Sequence, residues 1–243
     1  MNIIVASSRG HGLQEHLADD VTVYVRFGAT LATLKAEAES KTAPSTGLGR
    51  RDHIYFLSGI TDLTKLIKIK QNHYRECIFE EEPSEAADRY MALVEDCQRF
   101  FLQRGALPIF ATVPKMHIEK YNSYLLEKRK TLFLNFTDKY SEMQSKLDTT
   151  IDDVNDRIYN INNNIQATTP FLHYTIKERR GTGCRYMIYR WDLLYDGLHA
   201  EDILHPKWAK AFTKAITQNS LLEDQERPRN RYSRFVPESQ WSE

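Results

Sequence analysis

Apolar, β-rich runs punctuate the first half of the chain, and each stops at glycine or small residues. Residues 2–6 (NIIVA) lead into Ser7, Ser8 and Gly10, residues 21–26 (VTVYVR) stop before Gly28, and residues 53–58 (HIYFLS) stop at Gly59. A fourth run, 107–112 (LPIFAT), ends before Pro114. Short runs bounded in this way predict buried strands. Between them, residues 31–40, 62–70 and 84–104 read as helices. The last is the clearest, because Ala87, Tyr90, Val94, Cys97 and Phe101 recur at spacings of 3 and 4 and so share one face. Strands alternating with amphipathic helices predict an α/β fold whose parallel sheet is covered on both sides. Functional groups in such sheets collect where strands end at their carboxyl edge, and Ser8, Gly28 and Gly59 each follow a predicted strand.

Residues 115–168 break this rhythm. From Phe136 onward, Tyr140, Met143, Leu147, Ile151, Val154, Ile158 and Ile161 keep helical spacing, which predicts a long amphipathic helix over about 136–164. With the charged EKYNSYLLEKRK stretch before it, this segment reads as a helical insertion. Its stripe fits packing on the domain's own core, with a homo-oligomer formed through the same face as the other reading. Residues 41–51 (KTAPSTGLGRR) predict a loop, and residues 170–195 are read as connecting chain. A tail from Leu222, rich in Arg, Glu and Pro, predicts a poorly ordered end, so one domain covers 1–221 and the tail 222–243. There is no internal repeat.

Composition narrows the class. At 243 residues, 41% of them apolar and 11% aromatic, the chain suits a single α/β domain with an insertion and a sizeable core. Lys+Arg and Asp+Glu balance at 33 each, so no global field draws it to nucleic acid or an anionic membrane. Arg227, Arg229, Arg231 and Arg234 could touch nucleic acid locally, but the glutamates around them favour a solvated tail. Cys77, Cys97 and Cys184 lack paired spacing and read as reduced thiols. No run has the length of a signal-peptide core or a membrane span, so the expectation is a soluble, cytoplasmic protein.

The candidate chemistry lies at the two ends. A serine hydroxyl becomes a useful nucleophile when a histidine takes its proton, and the histidine needs a carboxylate to fix its tautomer. Ser8, His199 and Asp196 supply those residue types. Alone, Ser8 reads as readily as a helix N-cap, and Asp196-x-x-His199 as a turn whose helical spacing would put both side chains on one face. A helix starting near Pro206 follows. Acyl transfer also needs donors aimed at the developing oxyanion. The backbone N–H groups of Gly28 and Ser8 and the hydroxyl of Thr61 are candidates. A metal site from Asp196, His199, Asp202 and His205 is a minor alternative, since no ligand cluster elsewhere supports it. No cofactor is implied.

In order, ASS, GAT, GITDL and DGLH resemble the sequence blocks of the SGNH (GDSL-like) hydrolase superfamily. That family's first block is Gly-Asp-Ser with a leucine five residues on, here Ala6-Ser7-Ser8 with Leu13. The second centres on a glycine, here Gly28. The third, Gly-x-Asn-Asp, is similar to Gly59-Ile60-Thr61-Asp62, and the fifth, Asp-x-x-His, to Asp196–His199. The resemblance spans residues 2 to about 215 and implies a flavodoxin-like three-layer α/β/α fold with a helical insertion. It implies Ser8 as nucleophile, His199 as base, Asp196 as its partner, and Gly28 and Thr61 in the oxyanion hole. The substrate it implies is a small ester or acylated compound. Two departures stand out: Thr61 where the family has asparagine, and Ser7 where it has aspartate. They keep open a second reading, an SGNH-fold interaction module with weak or no catalysis. RFGATLATL and YDGLHAEDILHPKWAKAF look like the SGNH-like proteins of eukaryotic retrotransposons and other mobile elements.

Overall fold

The computed structural model describes residues 1–42, 52–69, 74–128, 137–172, 174–180 and 184–226. Walking the chain, β1 (Asn2–Ala6) and β2 (Val21–Val25) are followed by α1 (Leu31–Lys41), whose start is capped by Thr30 accepting from the Thr33 N–H. Next come β3 (His53–Leu57), a short α2 (Ile60–Leu63), a hairpin of β4 (Lys65–Ile69) and β5 (Tyr74–Ile78), then α3 (Pro83–Gln103) and β6 (Leu107–Phe110). The insertion supplies α4 (Ile118–Glu127) and α5 (Thr137–Asn164). A second hairpin, β7 (Thr175–Arg180) with β8 (Cys184–Tyr189), precedes the closing α6 (His205–Glu226).

The central sheet has the order β2-β1-β3-β6, every pair parallel. This is the flavodoxin-like order, and helices cover both faces. Parallel strands covered on both sides must be apolar at every position, and Ile3 to Ala6 and Ile54 to Leu57 are all buried. Alternation then sorts them. Ile3, Val5, Ile54, Phe56 and Phe110 join the core under α1, α3 and α5. Ile4, Ala6, Tyr55, Leu57 and Ile109 join the core under α6, around Trp208 and Phe212. Each large apolar side chain so buried contributes about 1.5–3 kcal/mol. The stripe from Tyr140 to Ile158 on α5 is buried in the first of these cores. It is taken up within this chain rather than left as a face for a second copy.

The insertion is fastened by amides as well as by apolar contact. On α5, Asn162 accepts from the Phe110 N–H (3.1 Å) and donates to the Phe110 carbonyl (2.7 Å). One heptad earlier, Asn155 does the same to Val113, at 2.6 and 3.0 Å. On α4, Asn122 pairs with both backbone groups of Cys77, at 2.7 and 2.9 Å. A primary amide offers one acceptor and two donors, so it can stand in for the next strand at an edge that would otherwise leave backbone groups unpaired. At β6, the last strand of the sheet, that edge is the one α5 covers.

Three expectations need correction. The helix expected over residues 62–70 stops at Leu63, the end of α2, and KLIKI (65–69) forms β4, paired antiparallel with β5. The two β-branched isoleucines suit a strand, although the lysines are three apart, and pairing with a neighbouring strand decides the conformation. Residues 170–195 are not only connecting chain, because β7 and β8 pair through six residues there. The tail does not begin at Leu222: α6 continues through Glu226, and residues 227–243, with Arg227, Arg229, Arg231 and Arg234, lie outside the described residues. So does most of the 41–51 loop. No helix among the described residues is long and apolar enough to cross a membrane.

The amide pairing gives a stability test. Asn162→Ala leaves two buried backbone groups without partners and should destabilise the fold by about 2–4 kcal/mol in urea denaturation. Tyr159→Ala, an exposed change on the same helix, should cost less than about 0.5 kcal/mol.

Candidate active site

Three loops leave the same edge of the sheet, because β1, β2 and β3 run parallel and in register. After β1, the Ser7 N–H bonds the Leu57 carbonyl (3.0 Å), and Ser8 opens a single 3-10 turn closed by the Gly10 N–H on the Ser7 carbonyl (2.9 Å). The turn folds back so tightly that a Cβ on Gly10 would lie 2.3 Å from the Ala6 Cβ. Small residues at 6 and 10 are what permit this turn. Ser8 does not act as a cap: Ser7 occupies the cap position, and no side-chain cap bond forms.

The far end of the chain folds a second tight turn. Asp196 Oδ1 accepts from the N–H groups of Leu198 (2.9 Å) and His199 (2.7 Å), while the Tyr195 N–H bonds the His199 carbonyl (3.1 Å). The expected helical turn is therefore an aspartate-centred loop, its neck closed by a bridge between Leu194 and Ala200. Gly197, at φ +87°, presses against the start of α4: its carbonyl accepts from the His117 N–H at 2.7 Å. A Cβ there would sit 2.6 Å from the His117 oxygen and 2.7 Å from the Tyr121 nitrogen. Both are backbone atoms, so the position requires glycine.

These two turns meet. His199 Nε2 lies 2.9 Å from Ser8 Oγ, and His199 Nδ1 lies 2.6 Å from Asp196 Oδ2. Asp196 is only 1% exposed. Burial alone would raise its carboxyl, but the hydrogen bond from the His199 ring and those from the two backbone N–H groups outweigh it and hold the carboxyl below its ordinary value. An ionised Asp196 fixes the proton on Nδ1 and leaves Nε2 free to accept from the serine, which is the arrangement base-assisted nucleophilic attack requires.

A cavity of about 300 Å³ opens beside the pair, lined by Ser8, His11, Phe27, Tyr195, His199 and His205 among others. The Tyr195 ring stacks on His199 with centroids 5.6 Å apart and planes 17° apart. Phe27, 73% exposed, contacts the His11 ring on the other side. Neither Tyr195 nor Phe27 stood out in the sequence. The one signal was adjacency, Phe27 to Gly28 and Tyr195 to Asp196.

Of the oxyanion candidates outside the Ser8 turn, Gly28 has φ +66° and open space where a side chain would be, so its backbone can be approached closely. Thr61 lies exposed on the first turn of α2, beyond the end of β3. Its neighbour Asp62 ties these two loops together, both carboxylate oxygens accepting from the Leu31 N–H at 3.1 and 3.0 Å. Burial pushes the Asp62 carboxyl up to about 6, against the opposing Leu31 bond and the Arg89 charge. The Asp196, His199, Asp202 and His205 side chains do not converge on a common point. Asp196 and His199 are turned to each other and to Ser8, and no group of three such residues among those described is arranged to hold a metal ion.

No protein-family model matches the chain, and no curated protein matches it. Among solved structures it is similar to a GDSL-like lipase from Bacteroides thetaiotaomicron, with 10% identity over 91% of this chain and 87% of that one, at a TM-score of 0.50. It is also similar to a candidate acylhydrolase from Bacteroides fragilis, with 10% identity over 89% of this chain and 86% of that one, at a TM-score of 0.51. At that identity the likeness is one of fold.

Asp62 offers a pH test. Its folded pKa lies above the unfolded value, so the folded state holds the extra proton and stability rises as pH falls from 6 towards 4. Asp62→Asn keeps an acceptor for Leu31 without the charge. Its melting temperature relative to wild type should be most favourable at pH 7, and the difference should shrink by pH 4.5.

Proposed function

We propose that the chain is a serine hydrolase of the SGNH type, a carboxylic-ester hydrolase that works through an acyl-enzyme on Ser8. The observation that carries this reading is the continuous hydrogen-bond chain from Ser8 Oγ through both nitrogens of His199 to the buried Asp196. Ser8 Oγ attacks the ester carbonyl as His199 Nε2 takes its proton. The same proton then goes to the departing alkoxide, leaving an acyl-serine. Water attacks the acyl carbon, His199 takes the water's proton and returns it to Ser8, and the acid leaves. Asp196 stays ionised throughout and stabilises the imidazolium.

The oxygen that becomes negative would be held by the N–H groups of Ser8 and Gly28, with the Thr61 hydroxyl as third donor. A hydroxyl is shorter than the amide it replaces, which makes this donor the weakest of the three. The small cavity with rings on either side suits a small ester or acylated substrate.

Ser8→Ala and His199→Ala should each abolish hydrolysis of p-nitrophenyl acetate and labelling by a fluorophosphonate probe, with melting temperatures close to wild type. Asp196→Asn should lower kcat by about 10⁴-fold, the loss expected when the histidine takes the wrong tautomer. Thr61→Asn should raise kcat by about tenfold or more if a third donor is limiting. A wild type that neither hydrolyses nor is labelled overturns the esterase reading and leaves the interaction module.

A further inference from the structure

The residue after the nucleophile is a buried cation. Arg9 is 4% exposed, and its guanidinium donates to two successive carbonyls across the sheet edge, Nη1 to Pro114 and Nη2 to Lys115 (3.0 Å). Its Nε is buried without a hydrogen-bond partner. The carbonyls it holds begin the segment that leads into α4, where the His117 N–H bonds Gly197 in the Asp196–His199 loop. Ser8 and His199 are therefore joined twice: directly at 2.9 Å, and through a strap that runs from Arg9 to residues 114–117 and on to Gly197.

We propose that Arg9 is a positioning residue for the catalytic pair, its forked guanidinium setting the distance between the Ser8 turn and the Asp196–His199 loop through the 114–117 backbone. This rests on the esterase reading for its catalytic consequence, but not for its geometry. Two features separate it from ordinary packing. An arginine at this depth is costly: burial pushes its guanidinium down to about 10, against the opposing pull of Tyr174 and Asp196. An apolar side chain would avoid that cost and the orphaned Nε, so stability alone gives little reason for a cation here. The two bonds it makes also go to backbone of a different loop rather than to its own turn. A planar fork of donors is the group that can fix two adjacent carbonyls at once, and lysine cannot reproduce it.

The test compares Arg9→Met, Arg9→Lys and Tyr174→Phe. Tyr174 is the control, because its hydroxyl also bonds the Lys115 carbonyl (2.6 Å) but does not bridge it to a second backbone group as the Arg9 fork does. Two readouts are needed: kcat and KM on p-nitrophenyl acetate, and the far-downfield proton NMR signal of the His199–Asp196 hydrogen bond. Arg9→Met should lower kcat by about 10²-fold with KM little changed, as expected for a small displacement of reacting groups, and should weaken or abolish the downfield signal. Arg9→Lys should fall between Arg9→Met and wild type, and it keeps the comparison available if Arg9→Met does not fold. Tyr174→Phe should lower the melting temperature while leaving kcat and the signal in place. Equal effects of Arg9→Lys and Tyr174→Phe at equal stability loss would overturn the proposal, as would a wild type without the signal. A wild type that shows the signal but hydrolyses nothing overturns only the esterase reading, and the signal then decides the role of Arg9.

Discussion

The proposed site depends on keeping one hydroxyl within hydrogen-bond reach of an imidazole 191 residues further along the chain. Closing so long a loop has an entropic cost, and a single hydrogen bond worth about 1 kcal/mol cannot offset it. The sheet does most of the work by placing the ends of β1, β2 and β3 at one edge. The remaining distance is closed from the far side. The His117 N–H holds Gly197, and Asp196 folds its own loop by accepting two backbone N–H groups. The Ser8–His199–Asp196 geometry is thus a by-product of backbone bonds made elsewhere, and it does not rest on the serine–histidine contact itself.

This explains why an insertion sits where it does. The helices α4 and α5 cover the β6 edge and the segment beyond it, and Asn155 and Asn162 engage that backbone one heptad apart on one face. The segment they hold, residues 113–117, is the one that carries the contacts to Arg9 and Gly197. Rigidity in the insertion is therefore passed to the site through backbone. The buried stripe of α5 and its asparagines act together here, the first by bulk burial and the second by fixing register.

The parts of the fold that were legible in the sequence are those where one local pattern had no competitor. NIIVA and HIYFL sit between turn residues and are buried on both sides, and α3 carries a stripe with a single periodicity. KLIKI was ambiguous because lysines three apart, at its first and fourth positions, suit a solvated helix face as well as a strand, and pairing with β5, nine residues on, decides between them. The β7–β8 hairpin was hidden for the same reason. At the site, Ser8, Asp196 and His199 were readable because their chemistry is specific to residue type. Arg9 was not, since a lone arginine beside a serine carries no pattern, and only its burial and the identity of its carbonyl partners give it meaning. The Asp-x-x-His spacing brings the two side chains together through an aspartate-centred loop in place of the expected helical turn.

The same distinction bears on what Thr61 changes. Were the loop carrying Thr61 displaced, the oxyanion donors of the proposed mechanism would be displaced with it. Instead Asp62 still bonds the Leu31 N–H with both oxygens, and Gly59, at φ +120°, still packs against Val113, where a Cβ would lie 2.6 Å from a methyl group. The backbone that would carry the donors is held by contacts that do not involve residue 61. A carboxyl raised to about 6 by burial is an unfavourable group at neutral pH, and its two bonds to the Leu31 N–H partly offset that cost. A threonine at 61 therefore leaves this frame intact. In the proposed mechanism the Ser8 and Gly28 donors are backbone N–H groups that any side chain at 61 leaves in place, so what position 61 changes is at most one hydrogen bond.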